Sequence, residues 1–216
     1  MHAEYTAGIE INGSHSYDDF GLHIRSRKIG LPEKKMLLGT VPFMNGFYDF
    51  SAIAGEAAWG QREIEYGFDL VSASAVELEE VKAELIDWLS NVHDVDIYDD
   101  VLPDTHFTGS YASAEFSDDE SGLGSTLTVA FTCQPFRKAN TVTTVALPVG
   151  ETTVTVPGMT VTGTVDCEDG CVLTLRDTSQ SIAGTGVALL IPLKRGDNVI
   201  TVAEAAAVLH YYAEVI

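Results

Sequence analysis

Apolar and polar residues alternate with a period of two along two stretches of the chain, and with a period of about 3.6 along the stretch between them. Ile64, Tyr66, Phe68 and Leu70 alternate with Glu63, Glu65 and Asp69; farther on, Leu127, Val129, Phe131 and Cys133 alternate with Thr126, Thr128, Ala130 and Thr132. Both patterns predict half-buried β-strands. Between them Leu78, Val81, Leu85, Trp88, Leu89 and Val92 recur at spacings of three and four, with Glu80, Lys82, Glu84 and Asp87 on much of the remaining surface. This predicts one amphipathic helix over about 74–92, its apolar stripe covering its own sheet and its polar face in water. A partner-binding groove filler is the alternative use of that stripe. Ser74 and Glu77 form a capping-box pair, and Glu77, Glu79 and Glu80 sit where the helix dipole favours negative charge.

The alternation also selects the sheet type. Strands of a doubly wound parallel sheet are buried on both faces and read as continuous apolar runs with a helix after nearly every strand, so an α/β enzyme fold is disfavoured. Short extended pieces are expected at 8–11, 22–27 and 36–41, punctuated by Asn12-Gly13, Gly30 and Pro32. The segment 41–51 crowds Phe43, Phe47, Tyr48 and Phe50 around an Asn45-Gly46 turn signal, which suits an interface or a cover over the core better than a plain surface loop. Residues 118–124 read as a polar hairpin loop. From about Thr141 onward the charges thin out, and short Val- and Thr-rich runs alternate with turn signals, the signature of a compact β-sandwich. Ala203 to Ala207 could form a helical turn between two strands. The fold class is mainly β (α+β), with one domain over 1–138 and a second over 139–216.

Charge narrows the functional classes. The 216 residues hold 32 acids against 12 bases, a formal net charge of −20, so attraction to nucleic acid or an anionic membrane is disfavoured. The first 139 residues hold 24 acids and 9 bases, net −15, and the remainder 8 and 3, net −5. Five of the twelve bases, Arg25, Arg27, Lys28, Lys34 and Lys35, fall within 25–35, expected as a solvated loop or a patch complementary to an acidic neighbour. No run approaches the roughly 18 to 20 apolar residues of a membrane span, and the first residues lack the basic and apolar parts of a signal peptide, so a soluble protein made in the cytoplasm is expected.

Catalytic and metal chemistry find little footing. Asp94, Asp96, Asp99, Asp100 and Asp104 invite a calcium loop, but counting from Asp94 the sixth and twelfth positions are Asp99 and Thr105 where an EF-hand has Gly and Glu. A solvated connection or edge strand is expected there instead. Cys167 and Cys171 bracket Glu168-Asp169-Gly170, which reads as a three-residue hairpin loop that would bring the thiols close, as free thiols, a disulfide or, with further ligands, a metal site. Cys133 is expected to be a core thiol. The six histidines are scattered, and no metalloprotease, nucleophile-elbow or phosphate-loop motif occurs. Arg195-Gly196-Asp197 beside a strand is expected to be a turn. No catalytic, cofactor-binding or metal-binding residue is assigned.

The ordered set of motifs Val41-Pro42, Gly46, Tyr48-Asp49-Phe50, Arg62-Glu63-Ile64, the helix from Ser74, Phe107-Thr108-Gly109 and Phe131-Thr132-Cys133-Gln134-Pro135-Phe136 resembles the distal tail (Dit) proteins of siphophages and prophages, over roughly residues 16 to 138. The run 193–202 resembles the closing strands of that family's C-terminal galectin-like sandwich, here in a shortened form. The resemblance implies an N-terminal split β-barrel or sandwich with one covering helix, which builds a hexameric ring continuing the tail tube. The outward sandwich would hold tip or host-attachment components. It also implies a non-enzymatic hub subunit of the virion tail tip that needs no cofactor, partners the tail-tube and tip proteins, and lets DNA pass without specific binding or membrane insertion. Six copies would carry a formal −120, and acids lining the lumen would repel that DNA. Candidate interface residues are Arg25, Arg27, Lys28, Phe43, Phe47 and Tyr48. The alternative is a carbohydrate-binding adhesion module acting through the C-terminal sandwich.

Overall fold

The two alternating stretches and the helix between them organise the first half of the chain. The computed structural model describes residues 7–40, 42, 43, 45–51 and 57–216, and it divides between Pro135 and Phe136 into two units. The first runs β1 (Ile9–Ile11), β2 (Ser14–His15), β3 (His23–Ile29), β4 (Leu38–Gly39), β5 (Tyr48–Asp49), β6 (Arg62–Val71), α1 (Ala75–Ser90), β7 (Val95–Asp99), β8 (Thr105–Asp118) and β9 (Gly124–Cys133). Seven of its strands form one antiparallel sheet in the order β2-β1-β7-β8-β9-β6-β3. The two patterned strands pair directly, from Arg62 opposite Cys133 to Val71 opposite Gly124. Their apolar faces meet as one core in which Ile64, Tyr66, Phe68, Leu127, Val129 and Phe131 are fully buried. Asn12 and Gly13, at φ +54° and +79°, make the tight β1–β2 hairpin turn.

This sheet curls. Strands β7 and β3 stand four places apart in its order, about 19 Å in a flat sheet, yet Arg27 Nε of β3 donates to Asp99 Oδ2 of β7 at 2.6 Å. The result is a split barrel whose seam is crossed by side chains. Helix α1 lays Leu78, Leu85 and Leu89 on the core, and Trp88 Nε1 donates to the Ile11 carbonyl at 3.3 Å. Ser74 Oγ accepts the Glu77 N–H at 3.2 Å, while the Glu77 carboxylate reaches past the cap residue to the Ala73 N–H, also at 3.2 Å.

Two expectations are corrected here. Lys82 is buried, not on the wet face: its Nζ donates to Glu79 at 2.6 Å and to Asp118 at 2.7 Å. The fourteen-residue β8 carries Asp118 to the helix, an acid that the helix's own periodicity cannot reveal. Within the stretch 94–104, Val95–Asp99 is not an edge, because β7 lies inside the sheet between β1 and β8 with Asp99 buried, whereas 100–104 is the solvated connection to β8, with Asp100 and Asp104 exposed.

The second unit runs β10 (Arg137–Ala139), β11 (Thr143–Leu147), β12 (Gly150–Val156), β13 (Thr164–Leu175), β14 (Thr178–Ala188), β15 (Gly196–Ala203), β16 (Ala207–Tyr211) and β17 (Glu214–Val215). One edge of β13 carries β14; the other pairs with β16 over Thr164 to Asp166 and with β15 over Val172 to Leu175, so β11-β16 and β12-β15 branch from the two halves of a single strand. They enclose a core that includes Leu147, Val156, Val165, Leu193, Ile200 and Leu209. The unit's first and last strands, β10 and β17, pair with each other.

Cys167 and Cys171 do not flank a hairpin. Strand β13 continues through them, and opposite Gly184 and Ile182 the intervening Glu168-Asp169-Gly170 forms a bulge, with Gly170 at φ +80°. A turn-forming triplet inside a strand held on both sides becomes a bend instead of a reversal. The helical turn expected at 203–207 is also absent: β15 passes to β16 through a tight turn with Glu204 at φ +79°.

Candidate assembly surfaces

The connection from β3 to β6 is a two-stranded arm. Its limbs pair through Gly30 N–H to Glu63 O at 2.8 Å, Gly60 N–H to Glu33 O at 2.7 Å, Lys35 N–H to Ala58 O at 2.8 Å and the β4–β5 ladder. Asp49, held below the usual carboxylate range by hydrogen bonds from Ser51, fixes the return limb. Of the sequence-derived candidates, Phe43, Phe47 and Tyr48 lie on this arm, at 110%, 57% and 52% exposure, with Leu31, Met36, Leu37, Leu38 and Phe50 also in solvent. The aromatics therefore do not cover the core. The exposed phenylalanines among the described residues all lie here, a concentration of apolar surface unusual for a side of a chain left in water. Val41 and Met44 of the same segment, like the first six residues, lie outside the described residues.

Arg25, Arg27 and Lys28 lie together on β3, an end strand of the barrel sheet, and not in a solvated loop. Their side chains have different duties. Arg25 Nη1 donates to Thr126 Oγ1 at 3.1 Å beside Asp69, and Lys28 Nζ lies 3.8 Å from Glu65; both are cross-strand surface pairs. Arg27 instead faces the seam, where Asp99 Oδ2 accepts from Arg27 Nε and from the Tyr66 hydroxyl at 2.7 Å, and Asp99 Oδ1 accepts the Val101 N–H at 2.9 Å. Burial, with the Asp99 charge behind it, pushes the Tyr66 phenol far above its ordinary value. Arg27 is thus a structural cation.

At the end of β6 away from the arm, a cleft of about 450 Å³ is lined by Asp69, Val71, Asp118, Asp119, Gly124 and Thr126 among others. The Lys82 ammonium holds Asp118 below the usual carboxylate range, and Asp118 in turn raises Lys82; a Ser121 hydroxyl does the same for Asp119. Of the three carboxylates at the cleft, Asp118 is paired with Lys82 at 2.7 Å and Asp69 with Arg25 at 3.6 Å. Sequence reasoning missed the cleft because its residues come from three separate strands; the exposed Val71 at a strand end was its one visible sign.

The remaining chemistry is quiet. Cys133, Cys167 and Cys171 are free and buried; burial pushes Cys133 up to about 12, and burial together with the neighbouring Cys167 thiol pushes Cys171 up to about 11. Thiols so protonated are poor nucleophiles. Thr144 Oγ1, His210 and Asp166 form a chain at 3.1 Å per step, but they are ordinary cross-strand neighbours on β11, β16 and β13, and Asp166 Oδ1 is already taken by the Gly186 N–H at 2.6 Å. Among the described residues no group of three or more His, Cys, Asp or Glu could hold a metal ion, and no helix is long and apolar enough to cross a membrane.

No protein-family model and no curated protein matches the chain. Among solved structures, the crystal structure of Dit (gp 19.1) from phage SPP1, described as a paradigm of the hub adsorption apparatus in phages infecting Gram-positive bacteria, aligns with a TM-score of 0.77 at 15% identity, covering 97% of this chain and 99% of that one. The chain has the Dit fold. Two chains from gene transfer agent particles, one from a native virion and one from the tail of an empty particle with C6 symmetry, cover 65% of this chain at 12% and 13% identity, with TM-scores of 0.37 and 0.36. The Dit fold accounts for the helix-covered barrel and for the strand-sharing sandwich alike, since the alignment leaves little of either chain uncovered.

Proposed function

We propose that this protein is a distal hub subunit of a phage or prophage tail tip, a virion structural component that joins the tail tube to the host-adsorption apparatus and has no enzymatic activity of its own. The observation that carries this is the end-to-end likeness to Dit. In this reading residues 1–138 build a hexameric ring and residues 139–216 project outward to hold tip components. The arm supports it: ring contacts are head-to-tail and need two different patches per subunit, and an exposed apolar ribbon is one of them. Phe43, Phe47 and Tyr48 make the ring contact, with Arg25 and Lys28 as its cationic margin. The surplus of acids in the first unit lets DNA slide through the lumen without sticking.

Native mass spectrometry together with negative-stain imaging of the purified protein tests the reading. A six-fold ring, formed alone or at high concentration, is the expected result. A chain that stays monomeric at every concentration and binds glycans would overturn it in favour of a carbohydrate-binding module.

A further inference from the structure

Strand β13 changes partners part-way along its length, and two cysteines stand at the changeover. It pairs with β16 over Thr164 to Asp166 and with β15 over Val172 to Leu175; Cys167 directly follows the first ladder and Cys171 directly precedes the second. On the other edge β14 sets their spacing. Cys167 lies opposite Gly184 and Cys171 opposite Ile182, two positions apart on one strand. The bulge therefore turns both side chains to the same face with their α-carbons about 6.6 Å apart, inside the roughly 4.4 to 6.8 Å that a disulfide spans. Both are buried in one core. The Cys171 thiol hydrogen-bonds to the Cys167 sulfur, whose own S–H donates to the Ala206 carbonyl at 3.5 Å. Cys133 belongs instead to the barrel core. Since no third His, Cys, Asp or Glu among the described residues completes a metal site here, the chemistry open to this pair is with itself.

We propose that Cys167 and Cys171 are a redox modification site: oxidation joins them in an intrachain disulfide across the bulge and pins the point where β13 passes from one half of the sandwich to the other. A small-molecule disulfide is the oxidant. The thiolate of one cysteine attacks a sulfur of that molecule, whose S–S bond breaks and releases one small thiol; the second cysteine then attacks the mixed disulfide and releases the other. The two protein protons end on the two leaving thiolates, so one disulfide is reduced as another forms. Glu168, Asp169 and Gly170 make no ladder pair with β14, so opening the bulge admits the oxidant without parting either ladder. The same burial that protects the thiols keeps them protonated, which makes the exchange slow near neutral pH and faster as the pH rises.

The test holds the full-length chain at about pH 8.5 in a glutathione buffer mostly in its disulfide form, then denatures it, alkylates it and weighs it. Before oxidation all three cysteines are free to be alkylated; afterwards only Cys133 is expected to be, with two hydrogens lost from the chain and no glutathione attached. Cys133→Ala should close as the wild type does, whereas Cys171→Ser should leave Cys167 carrying glutathione or the alkyl group. Amide exchange along β13, β15 and β16 should slow by roughly tenfold on oxidation and recover under a reductant, as closing a short loop requires. Three alkylated cysteines after oxidation overturn the proposal, as does a lasting glutathione adduct on either member of the wild-type pair or a bond that includes Cys133. A Cys167–Cys171 bond that leaves the exchange rates unchanged overturns the pinning.

Discussion

The barrel and the sandwich each bury one hydrogen-bonding polar side chain where the chain must be held, and they do so with opposite chemistry and at opposite range. The barrel seam is held by a charged cluster, Asp99 accepting from Arg27 and Tyr66 across the gap. The sandwich uses a neutral amide locally: Asn198, buried at the start of β15, holds the bend that leads into that strand, donating to the carbonyls of Lys194 at 2.7 Å and Gly196 at 3.0 Å and accepting the Lys194 N–H at 2.9 Å. A charged closure is sensitive to losing one partner, because the other is left behind in a poor solvent. A neutral one fails more gently.

That contrast sets an order of expected effects. Replacing Asp99 by Ala strands the Arg27 charge and the Tyr66 hydroxyl, and about 3 kcal/mol of the barrel's stability should go, the low end for a buried pair because Arg27 keeps some contact with solvent; urea unfolding followed by Trp88 fluorescence reads this unit. Asn198→Ala should cost the sandwich about 2 kcal/mol, since one N–H and two carbonyls lose their partner. A loss equal to that of Asp99→Ala would erase the distinction between the charged seam and the neutral bend. Ser74→Ala removes the acceptor for the Glu77 N–H and should take about 1 kcal/mol from the barrel alone.

The smallest effects are slopes with pH, and they run in opposite directions. Asp118 titrates below its ordinary range in the fold, so its contribution is fully present above the ordinary aspartate value and is lost as the pH falls below it. Burial raises Glu214 in the sandwich, so folding there favours the protonated acid and stability grows as the pH falls from above toward the ordinary glutamate value, where the gain is complete. Hydrogen exchange resolved by unit should show the divergence, which Lys82→Met reduces on the barrel side and Glu214→Gln removes on the other.

The parts of this fold that were legible in the sequence are those whose periodicity and surroundings agree. Strands β6 and β9 alternate because one face meets the core and the other meets water, and α1 shows its stripe for the same reason. Lys82 and Asp99 were illegible because a charged residue at an alternating position reads as surface, and only a partner from another strand makes burial tolerable. Glu168-Asp169-Gly170 carries turn chemistry that the paired strands on either side overrode. For the candidate surfaces, the crowding of aromatics around Asn45-Gly46 was visible as a local excess, and the structure locates Phe43, Phe47 and Tyr48 on an exposed arm. The cleft was not visible, since no window of sequence holds Asp69, Asp118 and Thr126 together.

The pairing of β10 with β17 also bears on how such a chain could be re-equipped. Arg137 stands opposite Val215, and Ala139 N–H donates to the Ala213 carbonyl at 2.8 Å, so the sandwich begins and ends at one doorway two short strands wide. Everything between could be excised and the gap bridged by a two-residue turn, leaving a plain hairpin. The same doorway would accept a foreign domain with closely spaced termini, making this unit a socket for interchangeable cargo.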